Sequence, residues 1–219
     1  MKRILIVGVV GAAVLAGVAA QASAATSLTY RVTVLNRTPD GLTPLVYGVH
    51  DQRAHLWRKG RRATVGTGLL ARDGDTRTAL AELSRRRGVR NAGVTDEIAS
   101  GRSLTFTVRT TAGYRRLSWA SMLKCTNDGF TGVDSHALPM RVKGKPRFTI
   151  RRNIPAYDAG VEVNDESAAS VPCLGAHGVG RDEALNIRKH PGIRGNDDLA
   201  RASHGWGTAA ARLTIRRIG

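Results

Sequence analysis

Aromatic side chains and acids are both scarce in this chain. Phe, Trp and Tyr make up 5% of its 219 residues, and Asp plus Glu number 17 against 34 Lys plus Arg. So few rings argue against a single-strand nucleic-acid platform built on stacking. Two cysteines exclude a disulfide-dense mini-scaffold and a four-cysteine zinc site. Seven prolines and 25 glycines without a strict period exclude collagen. A hydrophobic share of 42% excludes a disordered chain, and the length is enough to bury a core without staples.

The first segment reads as an address. Met1-Lys2-Arg3 is a basic head, Ile4 to Ala20 carries no charge, and Ala22-Ser23-Ala24 is a small-x-small cleavage site. This pattern predicts a secretory signal peptide over residues 1–24, cut after Ala24. The competing reading is a membrane anchor, but Ile4–Ala20 is at the short limit for a span and the cleavage site follows at once. No cysteine lies near the cut to carry a lipid. The expectation is a single domain over 25–219 with no transmembrane anchor in the mature chain. It would be secreted, and would sit outside the cell, in a periplasm or at a cell surface.

The formal net charge is +17, of which the leader carries two positive charges. Arginines recur in clusters along the chain: Arg61-Arg62, Arg85-Arg86-Arg87, Arg115-Arg116, Arg151-Arg152 and Arg216-Arg217. Such a surface attracts wall polymers, lipid headgroups, lipopolysaccharide phosphates or nucleic acid. No nucleic-acid docking motif accompanies it, so no specific nucleic-acid partner is expected. Arginine-rich usage from codon bias explains the charge equally well.

Alternation with period two marks the body. Leu28, Tyr30, Val32 and Val34 share one face of a segment; Leu104, Phe106 and Val108 another; Phe148 and Ile150 a third; Ala211, Leu213 and Ile215 a fourth. Arg115 to Lys124, with Leu117 and Trp119 on one side, and the shorter run Leu45 to Val49 add two more. Half-buried strands separated by Gly, Asn and Asp loops predict an all-β antiparallel sandwich. Strands at the two chain ends are placed to close its sheets. One helix interrupts the pattern over Thr76–Arg87, capped by Asp75 and stopped by Gly88. Arg85 to Arg87 fall in its last turn, where the helix dipole favours cations. Residues 158–181 and 188–208 read as long loops, which inside a compact domain are functional or disordered.

The few acids gather. Asp128 and Asp134 lie in Thr126-Asn127-Asp128-Gly129-Phe130-Thr131-Gly132-Val133-Asp134; Asp158 and Glu162 in Tyr157-Asp158-Ala159-Gly160-Val161-Glu162; Asp165 and Glu166 follow. Carboxylates on neighbouring loops repel unless something positive sits between them. Calcium suits such a place, taking six to eight oxygens from flexible loops. Nothing matches EF-hand spacing. Pairing with nearby arginines, or turn capping, is the plainer account. Cys125 abuts the first acidic segment and Cys173 follows the second; two cysteines in an exported protein pair. The histidines at 50, 55, 136, 177, 190 and 204 form no zinc pattern and read as surface or capping residues, with His190-Pro191-Gly192 as a turn.

Ser121-Met122-Leu123, the segment Asn127 to Asp134 and the segment Tyr157 to Glu162 together resemble the spondin N-terminal domain family of animal matrix proteins and secreted bacterial homologues. The order of elements fits across most of residues 28–218 and is strongest over 118–166. The resemblance implies an eight-stranded antiparallel β-sandwich with one short helix, long loops at one end, and a calcium ion held there. It carries the ligand role to Asp128, Asp158 and Glu162. Two departures stand out: Gly129 replaces a Trp, and Glu162 replaces an Asp. Asp165 is an extra acid outside the family pattern and is added as a fourth candidate ligand.

These readings lead to three functional hypotheses. The first is a non-enzymatic, calcium-binding module for adhesion or recognition of an extracellular protein. The second is a cationic binder of anionic polysaccharide or lipid surfaces. The third is a polysaccharide hydrolase using Asp158 and Glu162 as acid and base. No Gly-x-Ser-x-Gly motif supports the last.

Overall fold

The computed structural model describes residues 27–175 and 180–219. The proposed signal peptide and His177 lie outside the described residues.

In chain order the elements are β1 (Leu28–Asn36), β2 (Val46–His50), α1 (Val65–Asp73), α2 (Thr76–Arg85), β3 (Val89–Val94), β4 (Ser103–Thr110), β5 (Arg116–Met122), β6 (Gly129–Ala137), β7 (Thr149–Ile154), β8 (Ala156–Asp158), β9 (Arg188–Lys189), α3 (Arg201–His204) and β10 (Ala211–Arg217). They form a four-stranded sheet, order β4-β1-β10-β7, and a six-stranded sheet, order β3-β2-β5-β6-β8-β9. All pairings are antiparallel. The first and last strands do not each close a sheet. They pair with one another inside the smaller sheet, from Tyr30 opposite Arg217 to Asn36 opposite Ala211. That pairing brings the ends of the described domain together.

Both sheets feed one hydrophobic cluster. Tyr30, Val32, Val34, Val108, Leu213 and Ile215 come from the smaller sheet and Val49, Leu117 and Trp119 from the larger. The alternating faces seen in the sequence are the inner faces of these strands. The larger sheet is also covered from outside: Val46, Ala120 and Phe130 pack with Leu70 and Ala71 of α1 and Ala79 and Leu83 of α2. Its central strand β5 is therefore buried on both faces, where alternation alone indicated one.

Helix α2 follows its signals, with Asp75 Oδ1 accepting from the Arg77 and Thr78 N–H groups at 2.9 and 3.2 Å. The chain leaves the helix after Arg85, with Arg86 already extended. A second helix, α1, was not expected. Its Gly66 and Gly68 have low helix propensity, and its stability comes from packing on α2 and β5. Strands β3 and β6 were also unexpected. Gly129–Ala137 reads as an acidic loop yet pairs with β5 and β8, because Phe130 and Val133 are wanted on opposite faces of a doubly covered sheet. Eight strands are five residues or longer, while β8 and β9 have three and two. No helix among the described residues is long and apolar enough to cross a membrane.

Candidate metal centre

The acidic segments meet where the short strands extend the larger sheet. Asp128 immediately precedes β6, and Asp158 ends β8 opposite Gly129. The turn into β6 is fixed by Thr126, whose Oγ1 donates to the Leu123 carbonyl at 2.7 Å and accepts from the Gly129 N–H at 3.0 Å. A Cβ at Gly129 would lie 2.5 Å from that Oγ1, so any larger residue there requires the Thr126 side chain to move.

Asp128 joins the two segments directly. Its Oδ2 accepts from the Val161 and Glu162 N–H groups at 2.7 and 3.0 Å. Its Oδ1 is buried with no hydrogen-bond partner among the described residues. Asp158 closes its own turn, Oδ1 accepting from the Gly160 N–H at 2.8 Å, while Oδ2 takes the Asn164 amide at 2.7 Å and the Arg188 guanidinium at 2.8 Å. Gly160 has φ +70°, and a Cβ there would stand 2.6 Å from the Leu185 carbonyl oxygen. Only glycine fits this turn without strain. Glu162 Oε1 accepts from the Gly180 N–H, and its Oε2 is buried without a partner among the described residues. All three carboxylates are fully buried.

Burial and mutual repulsion set their acidity. Burial first, then the Asp158 charge, pushes Asp128 up to about 6. Burial raises Glu162 to about 7, with the Asp128 and Asp165 charges adding to it. Asp158 is raised by burial despite Arg188, Asn164 and the Gly160 N–H. Asp165 stands apart. Burial pushes it upward, but hydrogen bonds from Ser170, Asn127 and Ser167 bring it below its ordinary value. Its Oδ1 accepts from Asn127 at 2.8 Å and from Ser170 at 2.7 Å.

Asp128, Asp158 and Glu162 are thus brought together, although their oxygens do not converge as tightly as a closed ligand set. Among the described residues, the group of three His, Cys, Asp or Glu residues whose ligand atoms all lie within 4.8 Å of one another is Cys125, Cys173 and His204. The two sulfurs there are joined in a disulfide, with Cα atoms 5.1 Å apart. That bridge ties the segment before Asp128 to the 3-10 turn Pro172–Leu174. Asp134 leaves the acidic group altogether. It sits in β6 and faces His55 at 2.9 Å.

Several functional positions were not foreseen. Arg188 reaches both Asp158 and Glu183, and sits opposite Asp158 only because β9 pairs with β8. Glu166, at φ +63°, accepts from the Arg194, Gly195 and Asn196 N–H groups and pins the second long loop. Its place beside Asp165 was visible, but a three-amide cradle 28 residues away carried no signal. The histidines also depart from a surface role. His50 is fully buried, with Nε2 2.8 Å from the Ser118 hydroxyl. Buried His190 accepts from the Gly192 N–H at 3.0 Å, as its turn requires, and burial lowers it to about 4.

No family model matches the chain, and no curated protein matches it in sequence.

Proposed function

We propose that this chain is a secreted, non-enzymatic recognition module of spondin type whose acidic loops are ordered by calcium. The supporting observation is the pair of oxygens, Asp128 Oδ1 and Glu162 Oε2, buried without a donor among the described residues, between segments that repel one another. A buried carboxylate oxygen without a partner carries a large desolvation cost. Such oxygens fit a hard cation. Asp128 and Glu162 would hold the ion, with Asp158 beside them and Asp165 next along the loop. Bound calcium would supply Asp128 and Glu162 with positive charge of the kind that Arg188 gives to Asp158.

The protein does the rest. Asp128 clamps the Val161–Glu162 backbone, Asp158 and Gly160 shape the turn, and the disulfide braces the adjoining loop. The result is a rigid end suited to presenting loops to an extracellular protein or an anionic surface. The two antiparallel sheets, ten strands in all among the described residues, support the β-sandwich part of this reading. Asp158 and Glu162 are both closed to solvent, which supports the module over a hydrolase that must bring a sugar to its acid and base.

The test is a thermal melt in calcium and in chelator. Stabilisation of about 2.7 kcal/mol is expected at a hundredfold excess over the dissociation constant. A melt indifferent to both additions refutes the ion.

A further inference from the structure

The geometry points to a second binding site, an arginine-lined pocket that takes a phosphate group. The connection from β2 to α1 carries Arg53, Arg58, Arg61 and Arg62, with no acid between residues 52 and 64. The end of α2 brings Arg86 to the same place, so two arginine clusters far apart in sequence line one pocket of about 220 Å3. A water occupies roughly 30 Å3, so a phosphoryl group has room.

The backbone beneath is fixed. Trp57 is buried against Phe130 and Tyr157, with ring centroids at 5.0 and 4.6 Å, and Gly60 and Arg61 exchange backbone hydrogen bonds with Ile187. Charge around the pocket is unbalanced. Arg53 pairs with Asp51 at 2.6 Å. Arg58 Nη2 lies 2.5 Å from His55 Nε2, and the other ring nitrogen of His55 faces Asp134. Glu82 of α2 is committed to the Gly66 N–H and the Thr64 hydroxyl. Arg61, Arg62 and Arg86 have no side-chain hydrogen bond or ion pair to another described residue. Arg61 and Arg62 are exposed and Arg86 is half-buried, and arginines lining one pocket offer planar paired donors that match phosphate oxygens. A phosphate ester therefore fits the pocket in both charge and geometry. The source is a soluble phosphorylated molecule or a lipid headgroup; Val65, 71% exposed at the start of α1, lies beside Thr64 of the pocket rim.

The test is calorimetric titration of the purified protein with inorganic tripolyphosphate, in chelator so that calcium plays no part. A parallel arm measures sedimentation with phosphatidylglycerol–phosphatidylcholine vesicles. Two variants remove equal charge: Arg61→Gln/Arg62→Gln/Arg86→Gln in the pocket, and Arg151→Gln/Arg212→Gln/Arg216→Gln on the exposed face of β7 and β10. The pocket variant should bind at least about tenfold more weakly than the natural protein, the loss of hydrogen bonds to a charged group, while the control stays within about threefold. Pocket dependence for tripolyphosphate alone assigns a soluble ligand; pocket dependence on vesicles assigns a headgroup. Equal losses in both variants, or no saturable binding to either probe, overturns the site.

Discussion

The Asp128 carboxylate grips the backbone of Glu162, accepting its N–H at 3.0 Å, while the Glu162 side chain leaves one buried oxygen unpartnered among the described residues. Asp128→Asn keeps an acceptor for that N–H and removes the charge. The variant should fold but lose calcium-dependent stabilisation. A calcium-induced shift in melting temperature equal to that of the natural protein would exclude Asp128 as a ligand.

Stability without calcium should fall as pH rises. Asp128 and Glu162 are raised to about 6 and about 7, and Asp158 is raised as well. A carboxyl raised on folding binds more protons folded than unfolded. Its contribution is full below its unfolded value near pH ~4 and is lost as pH passes through the folded value. Chelated protein should therefore weaken between about pH 4 and about pH 7.5, and saturating calcium should remove most of that slope. Urea unfolding at stepped pH reads both, and a flat calcium-free profile counts against these shifts.

The disulfide spans a sequence separation of 48 residues. Cys125→Ser/Cys173→Ser should cost about 4 kcal/mol on the chain-entropy argument, read as a lower urea midpoint. Because Cys125 lies three residues before Asp128, calcium affinity should fall together with stability. Unchanged affinity would separate the brace from the acidic end.

Gly160→Ala should destabilise by about 1–3 kcal/mol, since its left-handed backbone is costly for alanine and its Cβ meets the Leu185 carbonyl. Hydrogen exchange should rise at the Val161 and Glu162 amides that Asp128 holds. Protection unchanged at those amides would show that the turn relaxes around the new methyl.

What the sequence determined by itself was local. Period-two alternation marked β1, β4, β5, β7 and β10, and a short apolar run marked β2, because each buries apolar side chains in the core between the sheets. Asp75 marked the start of α2 because a capping carboxylate acts on amides two and three residues away. The spacing of Cys125 and Cys173 beside the acidic segments marked the bridge. Only the tertiary structure decided what lies between distant segments. It put Asp134 in a strand facing His55, set Arg188 against Asp158 through a two-residue strand, and covered β5 from both sides. It also gathered Arg61, Arg62 and Arg86 around one pocket. Burial of a charge, the absence of a donor for its oxygen and the convergence of like charges depend on through-space distances, and local spacing along the chain does not encode them.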